Sequence, residues 1–323
     1  MENSCPKSKD NEKIDYVCPM PKFITNKYGI MIYLSNIQKR YFNFMDRTII
    51  FDFTYTRWIQ KEMLAVLGLV FTKIKSKRNK VYLRGLSKKQ RELLIEFNFI
   101  NNGVSFKEKL RGSIVYNSFN GDDINRFRTY LQREMKDVEN IEISKFILTH
   151  ILEIFLNIRT HARGKNNKSK FDNKEVFSSG YFDKDKHELV ISICNNGKTF
   201  YLNILEKAGI EYEKEWKYIK WALGEFNTTT TGRPGGGGLT MVKELIIKNK
   251  GELIICSGKA YYSLRFDDNG HEINEKIELE TDFPATIVIL KIHTDKIQEV
   301  CVNEQEEFTI DKLFSSEEIK RCV

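Results

Sequence analysis

Two short segments of this sequence carry residue types that could do chemistry. In the first, Glu153, Asn157 and His161 recur at every fourth position, so on a helix they lie along one face. In the second, four consecutive glycines, Gly235 to Gly238, precede an apolar helical pattern. A carboxylate can act as a general base, an amide oxygen can bind Mg²⁺, and a glycine-rich helix start can hold phosphate. Together the two segments predict a nucleotide site.

The predicted role of each side chain follows from its chemistry. Glu153 would orient or deprotonate a water that attacks the γ-phosphate, and Asn157 would supply a neutral oxygen to Mg²⁺ beside phosphates and water. His161 would either contact phosphate or pack beneath the following loop. Backbone N–H groups and the helix dipole would face the phosphates where glycine leaves room for close approach. The residues predicted there are Gly236, Gly237, Gly238 and Leu239.

The glycine run matches neither of two common nucleotide motifs. The sequence contains no GxxxxGK[ST], so it has no P-loop, and no GxGxxG follows its first predicted strand. We therefore expect a phosphate-binding loop of another kind.

The elements that must position these residues lie in the second half of the chain. Helical spacing predicts helices over Asp122 to Met135 and Ser144 to Ala162, the second with a buried isoleucine stripe beside Glu153. A further helix should run from Gly238 through Lys248 and end at Gly251. The other predicted elements are a helix over Trp216 to Leu223 and strands over Leu189 to Cys194, Leu253 to Ser257, Tyr261 to Phe266 and Thr286 to Ile292.

The first half alternates between apolar runs typical of strands and helices. Short β-rich runs predict strands over Ile30 to Leu34, Thr48 to Phe53 and Lys80 to Gly85. Helices are predicted over Trp58 to Phe71 and Ser87 to Phe97, where Ser87 is a capping residue. This alternation indicates a small α/β domain whose sheet is covered by helices.

Composition limits the class of protein. At 323 residues with 41% hydrophobic residues, the chain is long enough for two domains with real cores. No apolar run reaches the length of a membrane span and no secretory start is present, so we expect a cytoplasmic protein without a membrane partner. Its six cysteines follow no zinc or disulfide spacing. The net charge of +8 permits contact with nucleic acid, but no nucleic-acid-binding motif accompanies it.

Four segments, in order, resemble the boxes of the Bergerat-fold or GHKL ATPases. Glu153-x3-Asn157-x3-His161-Ala162 looks like the N box, and Asn195-Asn196-Gly197 falls where the family has its Asp-x-Gly adenine box. The run Gly236 to Val242 resembles the second glycine box, closest to the short-lid form of the anti-sigma-factor kinases. Phe283 to Ile289 looks like the closing strand with its Thr286. The resemblance implies an ATP site with Mg²⁺.

The resemblance also assigns residues to the base and to the lid. Asn195 and Gly197 would bind the base, and Thr286 would support Asn195 as the family's threonine supports its aspartate. An amide could accept from an adenine amino group or turn to pair with guanine, and Asn-Asn-Gly is also a plain turn signal. Asn227 to Gly235 would be the lid, with Thr231 at the nucleotide and Arg233 either on phosphate or exposed.

The first half resembles a STAS domain, the fold of anti-sigma-factor antagonists. The passage from Asp52 to Leu67 follows that family's strand-to-helix connection, but its phosphoacceptor serine would fall at Lys61 or Glu62. Such a domain would serve for docking a protein partner or for self-association as a homodimer. The predicted organisation is a polar tail (1–25), a STAS-like α/β domain (26–120), a two-layer α/β sandwich of Bergerat type (121–300) and an acidic tail (301–323).

Three functions remain open from the sequence. The chain could be an ATP-hydrolysing regulatory switch, a serine/threonine kinase acting on a separate STAS partner, or a nucleotide-binding interaction module without turnover. The pairing of Glu153 with Asn157 favours turnover. A sensor histidine kinase is disfavoured, because no transmembrane segment and no dimerisation helix with a phosphoacceptor histidine precede the predicted ATPase unit.

Overall fold

The chain folds as an α+β protein, as the sequence predicts. The computed structural model describes residues 14–100, 112–138, 140–161, 175–225, 227, 229 and 237–297. These residues contain a parallel three-stranded sheet, a parallel two-stranded sheet and a five-stranded sheet. Among the described helices, none combines the length and the apolar composition needed to cross a bilayer.

The first unit is built around the two parallel sheets. Strand β1 pairs with β3 and β3 with β5, while β2 pairs with β4. Its elements are β1 (Tyr16–Pro19), β2 (Phe23–Ile24), α1 (Tyr28–Phe42), β3 (Thr48–Asp52), β4 (Trp58–Ile59), α2 (Met63–Lys75), β5 (Lys80–Arg84) and α3 (Lys88–Glu96).

The second unit is built around the five-stranded antiparallel sheet, whose order is β6-β7-β8-β10-β9. Helix α8 follows the glycine run, and α5 carries the predicted N box. The elements are β6 (Ser113–Asn120), α4 (Ile124–Glu134), α5 (Ile141–His161), β7 (Glu175–Asp183), β8 (Glu188–Asn195), α6 (Phe200–Ala208), α7 (Trp216–Ala222), α8 (Gly238–Asn249), β9 (Glu252–Phe266) and β10 (Glu272–His293), followed by a single 3-10 turn (Thr294–Lys296).

Two strands belong to a different unit from the one to which the predicted domain limits assign them. Strand β6, within the predicted range 26–120, pairs with β7 in the five-stranded sheet. Strand β1, within the predicted tail 1–25, pairs with β3 in the three-stranded sheet. The segment that joins the two units therefore lies before β6, and the first sheet begins inside the predicted tail.

The predicted strand over Ile30 to Leu34 is wrong, because these residues belong to helix α1. The helix buries Met31, Leu34 and Tyr41 together with Ile37, and this spacing of three and four residues is helical. Read over five residues, the aromatic and β-branched run looks like a strand, whereas the helical period appears only over fifteen residues.

Several boundaries also differ from the sequence prediction. Helix α2 begins at Met63, since Trp58 and Ile59 form strand β4. At the end of α8, Lys250 rather than Gly251 adopts the left-handed conformation, with φ of 55°. The predicted helix at Ser87 is confirmed: the Ser87 hydroxyl and the Gln90 side chain form a reciprocal capping box. Strands β1, β2, β4, β6 and β7 and helix α6 were not predicted.

Both faces of the five-stranded sheet are buried. On β8, Leu189, Ile191 and Ile193 face a core shared with α4, α5 and α8. The alternate residues, Val190 and Cys194, face a second core shared with α1 and α2 of the first unit. Successive residues of a strand point to opposite faces, so one sheet belongs to both cores and the two units share it.

Helix α2 approaches this sheet closely at a glycine. A Cβ built on Gly68 would lie 2.3 Å from Cε2 of Tyr116 on β6, a separation that packed carbon atoms do not reach. The aromatic ring of Tyr116 therefore occupies the space that a side chain at position 68 would need. Every residue of α2 from Met63 to Phe71 is buried, as expected for a helix enclosed between two sheets.

Two serines of the sheet bind the start of α2. The Ser179 hydroxyl on β7 accepts a hydrogen bond from the Ala65 amide at 2.8 Å and lies 3.1 Å from the Lys61 carbonyl. On β8, the Ser192 hydroxyl donates to the Glu62 carbonyl at 2.6 Å. Both serine residues are fully buried. The first turn of a helix leaves backbone groups without intrahelical partners, and these hydroxyls satisfy some of them inside the shared core.

The Glu62 carboxyl is buried at the same contact. Its residue is 2% exposed, and its Oε2 has no hydrogen-bond partner among the described residues. Burial, reinforced by the charges of Glu252 and Glu188, raises the pKa of Glu62 to about 7. A carboxyl held neutral in this way costs less to bury than a carboxylate.

This environment predicts that stability falls as pH rises. The folded-state pKa of Glu62 is about 7 and the ordinary value is 4.5, so between these pH values the folded state holds a proton that the unfolded state has released. Above pH 7, where Glu62 is ionised in the folded state, the full free-energy cost of burying its carboxylate is present. Replacing Glu62 with glutamine should stabilise the protein at pH 8 by up to about 3 kcal/mol and have little effect at pH 4.5.

Urea unfolding at the two pH values measures the difference in the free energy of unfolding. The control is Glu92→Gln on α3, since the Glu92 side chain is 61% exposed and its replacement should leave the pH dependence unchanged. Equal pH dependence in wild type and Glu62→Gln would contradict the prediction.

Candidate functional site

Helix α5 positions the predicted base and metal ligand. Ile147, Ile151 and Ile154 are buried at helical spacing and hold the helix against the sheet. Glu153 and Asn157 follow the same period on the flank of this stripe, one turn apart. The helix is therefore fixed by its apolar face, and the two polar side chains share an orientation toward the start of α8 and the adjacent cleft.

The Glu153 carboxylate lies against the start of α8. A Cβ built on Gly238 would be 2.3 Å from Glu153 Oε2 and 3.3 Å from its Cδ. Only glycine leaves room for the carboxylate at this distance. Burial raises the pKa of the Glu153 carboxyl above its ordinary value of 4.5, which makes the carboxylate a stronger base than an exposed one.

The start of α8 is open toward the same region. Gly237 is the residue before the first helical turn and provides no side-chain cap, and its backbone is exposed. The first N–H groups of a helix have no intrahelical acceptors and lie at the positive end of the helix dipole. A phosphate placed here would be bound by backbone groups without a cationic side chain.

A row of polar side chains crosses the sheet at the other end of the site. Asn195 ends β8 and pairs with Thr286 on β10, which pairs in turn with Ser257 on β9. Residues directly opposite in an antiparallel pair have side chains on the same face. The Thr286 and Ser257 hydroxyls are hydrogen-bonded at 2.8 Å. Asn195 is 2% exposed, and neither atom of its amide has a partner among the described residues.

An open cleft connects these groups. Small-molecule sites are commonly clefts of this kind, mostly apolar with a few polar groups. Asn157, Asn195, Gly238, Leu239 and Thr286 all line it, so residues from four separate parts of the sequence converge. The apolar lining is completed by Ile154, Ile158, Phe200, Ile204, Trp221, Ala222 and Val288.

Several polar residues of the cleft were not predicted from the sequence. Asn203 donates a hydrogen bond from Nδ2 to Thr229 Oγ1 at 3.2 Å, and the Lys198 side chain, 9% exposed, is paired with Glu206. These residues lie on or near α6, a helix that the sequence analysis did not predict. Its signal was Thr199, a capping residue that accepts a hydrogen bond from the Leu202 amide directly after the Asn195 turn. The polar lining that the sequence did not predict consists of Lys198, Thr199 and Asn203, whereas Asn227 and Thr229 belong to the predicted lid.

The remaining predicted residues divide into two groups. Gly197 is buried in the turn that follows β8. Thr231, Arg233 and Gly236 lie outside the described residues, as does the side chain of His161, the last residue of α5. The structure therefore describes the carboxylate and both ends of the cleft, and the predictions for His161 and for most of the lid stay predictions.

Within the described residues, no group of three or more His, Cys, Asp or Glu side chains is placed to hold a metal ion. The donor chemistry of the cleft is instead that of amides and hydroxyls. Asn157 lines the cleft, and its Nδ2 is buried without a partner among the described residues. The Nδ2 atom of Asn157 therefore makes no hydrogen bond to another described residue.

Neither the models of known protein families nor the curated protein sequences contain a match to this chain.

The contact between Gly238 and Glu153 predicts a measurable coupling. Gly238→Ala should force the carboxylate away from α8 and destabilise the protein, because the new methyl group would overlap Oε2. In a Glu153→Ala background the same change should be nearly neutral, since the nearest remaining atom is the Glu153 Cβ at 3.4 Å. We expect a coupling free energy of about 1 kcal/mol or more from urea unfolding of the four proteins.

Gly237→Ala is the matched control for this cycle. A Cβ at Gly237 would have no neighbouring atom within 4 Å among those described, so its effect should be the same with and without the Glu153 carboxylate. A Gly238→Ala change that costs the same free energy in both backgrounds would show that the close contact is absent.

Proposed function

We propose that this chain is a Mg²⁺-dependent nucleotide-hydrolysing protein of the GHKL type that acts as a regulatory switch, with ATP as a substrate. The proposal is carried by one observation: the Glu153 carboxylate meets the open start of α8 next to a cleft whose far end holds the unpartnered amide of Asn195. A phosphate chain at α8 and a base at Asn195 would span this cleft.

The position of Glu153 suits general-base catalysis. A terminal phosphate bound by the α8 amides would bring its reactive face close to the carboxylate, which could orient a water and accept its proton. Burial raises the pKa of this carboxyl, and a base whose pKa is closer to neutrality gains basicity while staying ionised at neutral pH. Attack of the water on phosphorus then releases inorganic phosphate and leaves the proton on Glu153.

The residues of the cleft also fit Mg²⁺. This cation prefers oxygen ligands in octahedral geometry, keeps several waters, and is commonly bound through one or two protein groups together with phosphates. Asn157 would hold it, one helical turn from Glu153. When bound, Mg²⁺ supplies charge neutralisation of the phosphates. The lack of a multi-carboxylate cluster among the described residues agrees with a site completed by the nucleotide.

A switch needs a mechanical connection between the nucleotide and the rest of the chain, and β8 provides one. Asn195 ends this strand in the cleft, and Ser192, three residues earlier, donates to the Glu62 carbonyl at the start of α2. Three residues of strand span about 10 Å. Strand β10 has a similar arrangement, because Thr286 lines the cleft and the nearby Asp282 carbonyl accepts a hydrogen bond from Ser35 on α1 at 2.7 Å.

The first unit has a surface that supports the proposal of a protein partner. Phe23 and Trp58 are opposite each other in the β2–β4 pair and are 49% and 58% exposed, while Tyr55 is 81% exposed. Adjacent exposed aromatic side chains of this size are typical of contact surfaces. The STAS phosphoacceptor would fall at Lys61 or Glu62, and neither side chain has a hydroxyl to phosphorylate; Glu62 is in addition buried against the sheet.

The role of Glu153 is tested by Glu153→Gln. The amide keeps the shape of the side chain but cannot accept the proton, so phosphate release from ATP should fall by roughly 100-fold or more while nucleotide binding persists. Phosphate release by the wild type should fall at acidic pH with a midpoint above 4.5, the ordinary pKa of glutamic acid, because the base must be ionised.

Glu142→Ala is the control on the same helix, since Glu142 lies exposed in the first turn of α5, far along the helix from Glu153. With γ-labelled ATP, label in free phosphate supports hydrolysis, whereas label on a second protein added as cell extract would support the kinase alternative. Unchanged phosphate release by Glu153→Gln would exclude this residue as the base.

The role of Asn157 is tested by its metal dependence. Asn157→Ala should reduce the gain in nucleotide affinity that Mg²⁺ provides over EDTA, by about tenfold, because one ligand to the ion is removed. Titration of a fluorescent ATP analogue in the two buffers measures this gain. Thr149→Ala, a change at a half-buried position on α5 whose hydroxyl donates to the Lys145 carbonyl, should leave this gain unaltered. An unaltered gain in Asn157→Ala would contradict the ligand role.

A further inference from the structure

The buried amide of Asn195 lies at one end of the cleft without a hydrogen-bond partner among the described residues. It is 2% exposed, and both Oδ1 and Nδ2 are unpartnered there. Leaving two buried polar atoms unpaired costs free energy. Because Asn195 lines the cleft, a ligand that enters the cleft is the group able to satisfy both atoms.

The amide determines what kind of ligand edge can pair with it. Its oxygen accepts and its nitrogen donates, side by side in one plane. The complementary edge must present one donor and one acceptor at the same spacing. A 6-amino purine presents its amino group and N1, and a 6-oxo purine presents N1–H and its carbonyl oxygen. Rotating the amide by half a turn exchanges its donor and acceptor, so either edge can be matched.

No described residue fixes the amide in one of these two orientations. Across the sheet from Asn195 is Thr286, whose hydroxyl lies 2.8 Å from that of Ser257, and either can be the donor. A hydroxyl rotates to donate or accept as required. The Phe200 amide donates to Ser257 at 3.2 Å, which leaves the Thr286 hydroxyl able to adapt. The Thr286 and Ser257 hydroxyls therefore do not favour one orientation of the Asn195 amide over the other.

We propose that the Asn195 amide makes this site bind 6-amino and 6-oxo purine nucleotides with similar affinity. The inference rests on the proposed function, since it specifies the base at the same cleft. A carboxylate at this position could only accept hydrogen bonds, so it would pair with the amino group or with N1–H and would face the remaining acceptor of either edge. The rotatable amide can satisfy both atoms of either edge, and this ability lets the site accept both bases.

The test compares ATP with inosine triphosphate, which differ in the 6-substituent and the protonation of N1. Competition against a fluorescent nucleotide, with Mg²⁺ and the full chain, should give dissociation constants within about fivefold of each other. Asn195→Asp should weaken both nucleotides to a similar extent, on the order of 10-fold, because a carboxylate can pair with only one of the two atoms that each base presents. Circular dichroism checks that the variant is folded.

Asn195→Ala provides a second variant that introduces no charge. It should weaken both nucleotides by the same factor and leave their ratio unchanged. A wild-type preference above about fivefold for either nucleotide would overturn the inference and leave the proposed function intact, as would unchanged affinity for both nucleotides in a folded Asn195→Ala. Failure of both nucleotides to bind the wild type would overturn the proposed function as well.

Discussion

The start of helix α2 has backbone groups that cannot be satisfied within the helix, and it lies in a core without access to water. The Ser179 hydroxyl on β7 accepts a hydrogen bond from the Ala65 amide, one of these groups, and the Ser192 hydroxyl on β8 donates to the Glu62 carbonyl just before the helix. An unpaired backbone N–H at this depth would cost free energy, so the two hydroxyls favour this position of α2 on the sheet. The second sheet face is buried here because α1 and α2 pack on it.

That burial affects the cleft on the opposite face. A sheet exposed on one side can twist and flex, whereas β8 and β10 are packed on both sides and their ends are held in place. Asn195, at the end of β8, and Thr286, opposite it on β10, therefore have a fixed spacing across one end of the cleft. The other end is set by a different constraint, the close contact of Glu153 with Gly238.

The elements that carry the site were predictable because each has a strong local signal. Helix α5 has an isoleucine at almost every turn, and α8 begins directly after a glycine run. The positions of Glu153, Asn157 and Asn195 followed from these signals. Helix α6 was not predicted, because its only sequence signals are a short turn and a single capping residue. Lys198 and Asn203 were missed with it.

The arrangement of the two units could not be predicted from local patterns. One signal was present: β8 is a nearly continuous apolar run, and a strand with water on one face would alternate with polar residues. This run indicates that other elements pack on both faces of β8, but it does not indicate that α2 is one of them. That partnership depends on Gly68 and two buried serines, which are far apart in the sequence. The resemblance to GHKL and STAS proteins stays a prediction.

The enclosure of α2 has a consequence for synthesis of the chain. Residues 63–71 leave the ribosome before β7 and β8 exist, so one side of this apolar segment has no cover until about 120 further residues have been made. Contacts this distant in sequence form late, and exposed apolar surface attracts other chains in the meantime. The first unit therefore depends on strands of the second unit for its own folding, and the nascent chain is most vulnerable to aggregation during this interval.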